Sequence, residues 1–152
     1  MEKIILTYGT FDLFHVGHLN LLNRLRELGD KLIVGVSTDD FNLQKGKRTI
    51  IPYEQRAKIV QSLKCVDEVI PESSWDQKIT DIKKYQVSVF AMGDDWEGKF
   101  DFLKEYCEVI YFKRTKDISS TQIKDTLNSI TKIKDDFLKA IEILEQLKKD
   151  FK

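Results

Sequence analysis

Two histidines, His15 and His18, lie three residues apart near the start of this 152-residue chain, which contains no other histidine. Gly17 directly precedes the second of them, and Gly9 begins the polar segment that leads to the first. An imidazole donates hydrogen bonds to phosphate oxygens, and glycine lets a phosphate approach the backbone closely. The pattern therefore predicts a phosphate-binding turn; the alternative is a pair of histidines that only cap a helix or pack in a core.

The elements on either side of this turn support the first interpretation. Residues 4–8 form an apolar run that is typical of a buried parallel strand. After the turn, leucines recur at helical spacing from Leu19 to Leu28, until Gly29 and Asp30 end the pattern. A glycine-containing turn between a first strand and a first helix is where doubly wound folds bind phosphates.

The remaining chain repeats the strand-then-helix pattern five times in all. We predict an α/β fold: a Rossmann-like, doubly wound sheet of five parallel strands, with helices on both faces and right-handed crossovers. Asp39–Asn42 marks a loop after the second strand. The further predicted strands are 31–38, 66–70, 87–92 and 108–112. The further predicted helices are residues 52–64, a helix capped by Ser74, a short helix over 100–106, and a helix that is capped by Ser119 and runs from Ser120 to about Ile130.

Several charged and hydroxyl side chains follow these strands, at the sheet edge where ligands of open α/β proteins bind. Lys45 and Lys47 lie in a basic, glycine-containing loop, which composition alone would equally allow to be a solvated loop. Asp94 and Asp95 follow the fourth strand, and a solvated turn is their alternative. After the fifth strand, Arg114 precedes a helix N-terminus whose N–H groups and hydroxyls suit a phosphate, although such caps also occur without a ligand.

Taken in order, these segments resemble a known family. Gly9-Thr10-Phe11-Asp12 with His15-Val16-Gly17-His18 is similar to the HxGH signature of the nucleotidylyltransferase superfamily. Arg114-Thr115 with Ile118-Ser119-Ser120-Thr121 resembles the second motif of its cytidylyltransferases. The similarity is greatest to the bacterial glycerol-3-phosphate cytidylyltransferase family, from about residue 3 to residue 127. HxGH alone indicates nucleotidyl transfer, whereas the ordered set is more specific.

The resemblance implies an enzyme that transfers a cytidylyl group from CTP to glycerol-3-phosphate or a similar polyol phosphate. CDP-glycerol would then serve as a precursor of a cell-surface polymer such as teichoic acid or capsule. The acceptor phosphate would attack the α-phosphorus in line, so catalysis would consist of positioning and charge stabilisation. Alternatives are a nucleotidylyltransferase for another acceptor, including an adenylyltransferase or another CDP-alcohol synthesis, and a nucleotide-sensing domain without turnover.

The same resemblance assigns roles to individual residues. It implies that Mg²⁺ is held mainly by the phosphates, with no dedicated protein metal site. It implies catalytic roles for His15, His18, Lys45 and Arg114. The implied nucleotide-binding residues are Gly9, Thr10, Phe11, Asp12, His15, Gly17, His18, Lys47, Gly93, Asp95, Arg114, Thr115, Ile118, Ser119 and Ser120; the implied acceptor-binding residues are Arg56, Lys64, Trp75 and Asp94.

Composition limits the partners of the chain. Lysine plus arginine equals aspartate plus glutamate, 25 each, so no global field favours nucleic acid. With no signal peptide and no apolar run long enough to cross a bilayer, we expect a cytoplasmic protein without membrane insertion. Cys65 and Cys107 are isolated and predict buried thiols in a reducing compartment. The resemblance implies a homodimer.

The last residues lie outside the resemblance. Apolar residues step by three or four from Ile133 to Phe151, which predicts an amphipathic helix. Its polar face carries mixed charge, so we expect it to pack on the domain or on a second subunit rather than on a membrane. We therefore divide the chain into a nucleotidylyltransferase domain, residues 1–130, and a C-terminal helical extension, residues 131–152.

Overall fold

The structure, a computed structural model, describes residues 1–113 and 120–151. Five strands form one all-parallel sheet in the order β3-β2-β1-β4-β5. They are β1 (Ile4–Gly9), β2 (Lys31–Ser37), β3 (Glu68–Glu72), β4 (Val89–Gly93) and β5 (Glu108–Phe112). The Rossmann-like fold predicted from sequence is confirmed. Because the strand order runs outward from β1 in both directions, the carboxyl end of β1 lies at the switch point of the sheet, where such folds bind ligands.

Four α-helices accompany the sheet: α1 (Val16–Glu27), α2 (Asp39–Gln44), α3 (Tyr53–Gln61) and α4 (Gln77–Lys84). Helix α2 occupies a segment predicted to be a loop; its start is stabilised by Thr38, whose hydroxyl accepts the N–H of Phe41 at 3.2 Å. Helix α4 begins later than predicted and is not capped by Ser74, because the Gln77 side chain accepts the N–H groups of Ser73 and Ser74 and holds them in a preceding turn. Short 3₁₀ helices cover Asp94–Trp96 and Asp101–Glu105.

The core has two layers, one on each face of the sheet, as a parallel sheet requires. Successive residues of β1 point to opposite layers: Ile5 packs with Leu25 and Val60, whereas Leu6 packs with Ile82 and Phe90. Each such side chain is fully or almost fully buried, and its burial contributes roughly 1.5–3 kcal/mol to folding. The two layers fix the strand ends and thereby the loops that leave them.

The two cysteines are free thiols, as their isolated positions predicted. Cys65 is buried and Cys107 is half-buried. Burial raises the pKa of both thiols above the ordinary value, which favours the unreactive protonated form.

Helix α5 (Ser120–Asp150) is a single helix of 31 residues that forms a second compact unit. The sequence predicted an end near Ile130 and a separate amphipathic helix afterwards, whereas the helix continues through this point. No glycine or proline interrupts it, and the hydroxyls of Ser129 and Thr131 donate to carbonyls one turn earlier. Its apolar side chains are exposed, Phe137 by 67% and Phe151 by 88%. Among the described residues, no helix is long and apolar enough to cross a membrane.

Candidate active site

The two histidines cap helix α1 reciprocally. His15 is the N-cap residue, and its Nδ1 accepts the backbone N–H of Gly17 at 3.0 Å. The backbone N–H of His15 in turn donates to Nδ1 of His18 at 3.3 Å. An N-cap is ordinarily serine, threonine, aspartate or asparagine, so imidazoles in this role are an unusual choice for capping alone. The capping interpretation from sequence is therefore correct in part, but it leaves Nε2 of His15 to be explained.

The hydrogen bonds of the two imidazoles assign their tautomers. Because both Nδ1 atoms accept a backbone N–H, the proton of each neutral ring lies on Nε2. Nε2 of His15 is buried and has no hydrogen-bond partner among the described residues. Burial also lowers the pKa of His15, so the neutral ring is favoured. A buried N–H without a partner is costly and rare, and a ligand oxygen would satisfy it.

The backbone between β1 and His15 is strained in two places. Phe11 and Leu13 adopt positive φ angles of 54° and 50°, a region that residues with a side chain seldom occupy. The buried Phe11 ring stabilises this path by packing edge-on against the His18 ring, with centroids 5.5 Å apart. Gly9 is required here, since a Cβ atom would lie 2.7 Å from the Phe11 ring. Strain of this kind is concentrated at functional sites, where the surrounding packing maintains it.

Asp12 connects this turn to the basic loop that contains Lys45 and Lys47. Its carboxylate is 2% exposed and accepts the backbone N–H groups of Ile50 and Ile51 at 2.8 and 2.9 Å. The resemblance implies a nucleotide-binding role for Asp12, which stays a prediction. In the structure its carboxylate accepts backbone N–H groups, so Asp12 holds the basic loop against the histidine turn.

Arg56 has the same kind of structural role, which differs from the predicted acceptor binding. Its side chain is fully buried, and its guanidinium donates to the backbone carbonyls of Ile51, Thr10 and Ser37 at 2.7–2.8 Å. It also pairs with the carboxylate of Asp39 at 2.8 Å. With four hydrogen bonds inside the protein, Arg56 positions the loops after β1, β2 and α2. The acceptor-binding assignment of Arg56 stays a prediction.

Two lysines, one carboxylate and several aromatic rings form a cluster that we call the lysine pocket. Its charged members are Lys45, Lys78 and Glu72, and the Nζ atoms of the lysines lie 3.8 and 2.9 Å from the Glu72 carboxylate. The Lys45 ammonium lies 4.3 Å from the centre of the Phe41 ring and 5.6 Å from that of Trp75. The predicted acceptor residue Trp75 thus belongs to this pocket, and so does Lys45, for which the resemblance implies a catalytic role.

Lys78 and Glu72 were not identified from sequence. Lys78 is 2% exposed and its ammonium lies over the rings of Tyr8, Trp75 and Phe100 at 4.7, 5.1 and 5.4 Å. A signal was available: Lys78 lies one turn before Ile82 on the apolar face of its helix. A lysine on a buried helix face needs a partner, which only the fold identifies as Glu72 at the carboxyl end of β3.

The helix that carries Lys78 is tied to the central strand by a polar contact. The Tyr8 hydroxyl donates to the Asp81 carboxylate, which also accepts from the side-chain amide of Gln77 at 2.8 Å. Burial raises the pKa of Tyr8 strongly, so the phenol remains protonated and continues to donate. Since Tyr8 directly precedes Gly9, this contact fixes the lysine pocket relative to the histidine turn.

The other predicted residues divide by sheet edge. Lys47, Asp94 and Asp95 are exposed in the loops at the carboxyl edge, and a Cβ atom on Gly93 would lie 2.9 Å from Oδ1 of Asp95. Lys64 lies in the turn that leads into β3, at the opposite edge, so within one chain it is remote from the histidine turn. The acceptor-binding assignment of Lys64 stays a prediction. Arg114, Thr115, Ile118, Ser119 and the side chain of Ser120 lie outside the described residues.

Comparisons with known proteins identify the family of this chain. A family model described as cytidylyltransferase-like matches residues 6–126. The chain is 60% identical over 130 residues to the glycerol-3-phosphate cytidylyltransferase of Bacillus spizizenii, covering 86% of this chain and 100% of that protein. It is 57% identical over 125 residues to the enzyme of the same name from Staphylococcus aureus, covering 82% and 95%. A solved structure, the lipopolysaccharide core biosynthesis protein from Thermoplasma volcanium, matches with a TM-score of 0.66 and 22% identity over 76% of this chain and all of that one, a likeness of fold.

Proposed function

This chain belongs to the cytidylyltransferase-like family, and we propose that it transfers a cytidylyl group from CTP to glycerol-3-phosphate, giving CDP-glycerol and pyrophosphate. The observation that supports the proposal is that two sites lie at the same edge of the sheet: the histidine turn, which donates hydrogen bonds, and the lysine pocket, which carries positive charge. The histidine turn follows β1, and the lysine pocket is anchored on the end of β3 and on α4. Two centres of this kind suit a reaction that brings two phosphates together.

The histidine turn is the proposed site of the α-phosphate of CTP. The acceptor phosphate attacks the α-phosphorus. A new P–O bond forms between them while the bond from the α-phosphorus to the leaving pyrophosphate breaks, and the pyrophosphate keeps the electron pair of the broken bond. Charge moves toward the leaving group, and the Nε2–H of His15 is preorganised to stabilise it, because the cap fixes the ring before substrate binds. No covalent intermediate on the protein is needed.

The lysine pocket is the proposed site of the glycerol-3-phosphate phosphate group. Its two ammonium groups and single carboxylate carry a net positive charge next to the aromatic rings of Phe41 and Trp75. Because the rings exclude water, the attraction between this charge and an anion is stronger. Lys47 and Asp95, on exposed loops at the same edge, remain proposed contacts for the nucleotide, and Asp94 remains a proposed contact for the polyol.

Magnesium is proposed as an ion held largely by the nucleotide. Among the described residues, no group of three or more histidine, cysteine or carboxylate side chains is arranged to hold a metal ion. Magnesium keeps several waters and commonly binds through substrate phosphates with few protein ligands. When bound, it would neutralise phosphate charge, while the positioning described above belongs to the protein side chains.

The proposal extends to the setting of the reaction. Two copies associate through residues 1–130, the proposed catalytic domain, with residues 131–152 as an accessory extension. The reaction takes place in the cytoplasm, which the two free cysteines support, because disulfides form in oxidising compartments. CDP-glycerol would supply glycerol phosphate units to a cell-surface polymer such as teichoic acid or capsule.

The test measures pyrophosphate release with each of the four nucleoside triphosphates and a panel of polyol phosphates. We expect CTP to exceed ATP by on the order of 10²-fold in kcat/KM, because groups that read the cytosine edge would be left unpaired by adenine. Glycerol without its phosphate is the matched control and should give no turnover. Equal release with ATP and CTP below saturation, or a better acceptor than glycerol-3-phosphate, would contradict the proposal.

A further inference from the structure

We propose that Glu72 is a positioning residue that holds the side-chain ammonium groups of Lys45 and Lys78 in place, and so shapes the lysine pocket for a phosphate dianion. This inference rests on the proposed function, since it concerns how that site receives the acceptor. Glu72 is 4% exposed, and its two carboxylate oxygens face different lysines: Oε2 lies 2.9 Å from Nζ of Lys78, and Oε1 lies 3.8 Å from Nζ of Lys45.

The two contacts are unequal, so the two lysines have different roles. Lys78 is 2% exposed and hydrogen-bonded to Glu72, so its ammonium group is held in one position. Lys45 lies beyond hydrogen-bond distance from the same carboxylate, and its side chain is 10% exposed. A phosphate can therefore bind Lys45 in place of Glu72 at little cost in free energy, while Lys78 keeps its hydrogen bond to Glu72.

The surrounding charges explain why a carboxylate is needed here. Burial lowers the pKa of Lys45, and the neighbouring cations Lys47, Lys78 and Arg56 lower it further. Glu72 is the group that opposes this effect. Without it, Lys45 would lose its proton more readily and with it the charge that binds a phosphate.

Other titratable groups around Glu72 do not replace it. Tyr8 of β1 is protonated and neutral, because burial and the Asp81 carboxylate raise its pKa. Asp81 of α4 accepts hydrogen bonds from Tyr8 and Gln77. Asp81 thus serves the contact between α4 and β1, while the hydrogen bond of Lys78 goes to Glu72.

The experiment compares Glu72→Gln with Glu68→Gln. Glutamine keeps the size of the side chain and an oxygen for Lys78 but removes the charge. Glu68 lies on the same strand at the opposite edge, paired with the partly exposed Lys31 at 3.0 Å, and is the matched control. Binding of glycerol-3-phosphate is measured by calorimetry from about pH 6.5 to pH 9.5, and the titration of the Lys45 side chain by NMR, together with kcat and both KM values.

We expect Glu72→Gln to lower the pKa of Lys45 and to weaken glycerol-3-phosphate binding increasingly as pH rises, by about 10- to 100-fold at the alkaline end, the loss of one charged hydrogen bond. KM for CTP should change little. A purely structural residue would lower the melting temperature and leave the pH profile of binding unchanged. Identical profiles for Glu72→Gln and Glu68→Gln, or no binding of glycerol-3-phosphate by the unsubstituted chain, would overturn the inference. Binding with the expected pH dependence but without pyrophosphate release would support it and refute the proposed function instead.

Discussion

The imidazole of His15 stacks on that of His18, with 3.9 Å between the ring centroids and 23° between the ring planes. Two protonated imidazoles at this distance would repel each other, and protonation of either Nδ1 would displace a backbone N–H that it accepts. The neutral form of His15 is therefore favoured, and its Nε2–H remains available as a donor. A donor that is neutral and fixed in advance stabilises developing negative charge without first having to reorganise.

Separating the capping role of His15 from its donor role gives the first prediction. In His15→Asn, the side-chain oxygen can take over the cap, since asparagine is a favoured N-cap residue, but the Nε2–H donor is lost. We expect kcat to fall by roughly 10²–10³ with little change in the free energy of unfolding. His15→Ala should lose the same activity and in addition about 0.5–2 kcal/mol of stability. An asparagine variant with normal kcat per folded molecule would remove the catalytic assignment.

The second prediction concerns acid stability. The N–H of Tyr53 donates to Asp39 and lowers the pKa of that carboxyl, an effect to which Arg56 and Thr49 contribute. A lowered pKa in the folded state stabilises the protein fully above the ordinary aspartate value and loses this contribution as pH falls below it. The melting temperature should therefore decline from about pH 4 downward, and the decline should be smaller in Asp39→Asn.

The neighbouring Asp40 supplies the control for this measurement. It is exposed in the same first turn of α2. Asp40→Asn should follow the acid profile of the unsubstituted chain, and a profile for Asp39→Asn that runs parallel to it would contradict the role of Asp39.

The third prediction concerns the buried guanidinium. Lysine cannot reproduce the fork with which Arg56 reaches Ile51, Thr10 and Ser37, and it would leave buried carbonyls unpaired. We expect Arg56→Lys to destabilise the fold by about 3–5 kcal/mol in denaturant unfolding and to lower kcat. Arg24→Lys, on the exposed surface of α1, should change neither quantity measurably. A stable variant that loses only affinity for glycerol-3-phosphate would contradict this structural role and support acceptor binding by Arg56.

The fourth prediction concerns the C-terminal extension. Truncation after Ile130 removes an apolar stripe that includes Phe137, Leu144 and Phe151, each more than half exposed, and deletes no residue of the histidine turn or the lysine pocket. We expect near-normal kcat and a retained dimer, with altered thermal stability or solubility. Sedimentation and steady-state kinetics decide the question, since an inactive monomer would show that the extension builds the functional unit.

The sequence alone determined the fold and the position of the histidine turn, for reasons of local chemistry. Strands such as Lys31–Ser37 are short apolar runs, and their alternation with helices leaves a doubly wound sheet as the natural arrangement. His15 and His18 are close in sequence, so their spacing at the turn between strand and helix already determines how near the two imidazoles lie to each other. Helix boundaries did not follow from the sequence, because side chains such as Gln77 and Thr38 compete for the backbone groups that begin a helix.

Only the tertiary structure decided which charged residues are buried and which side chain faces which partner. Arg56 and Lys45 are both basic residues. In the structure, Arg56 is buried in a hydrogen-bond network, whereas Lys45 lies among the aromatic rings of the lysine pocket. Glu72 and Lys78 meet because β3 and the helix after it bring their side chains together at the sheet edge. The cost of burying a charge depends on partners that are assembled by the fold, and for that reason the pairing of Glu72 with two lysines could not be read from the order of the residues.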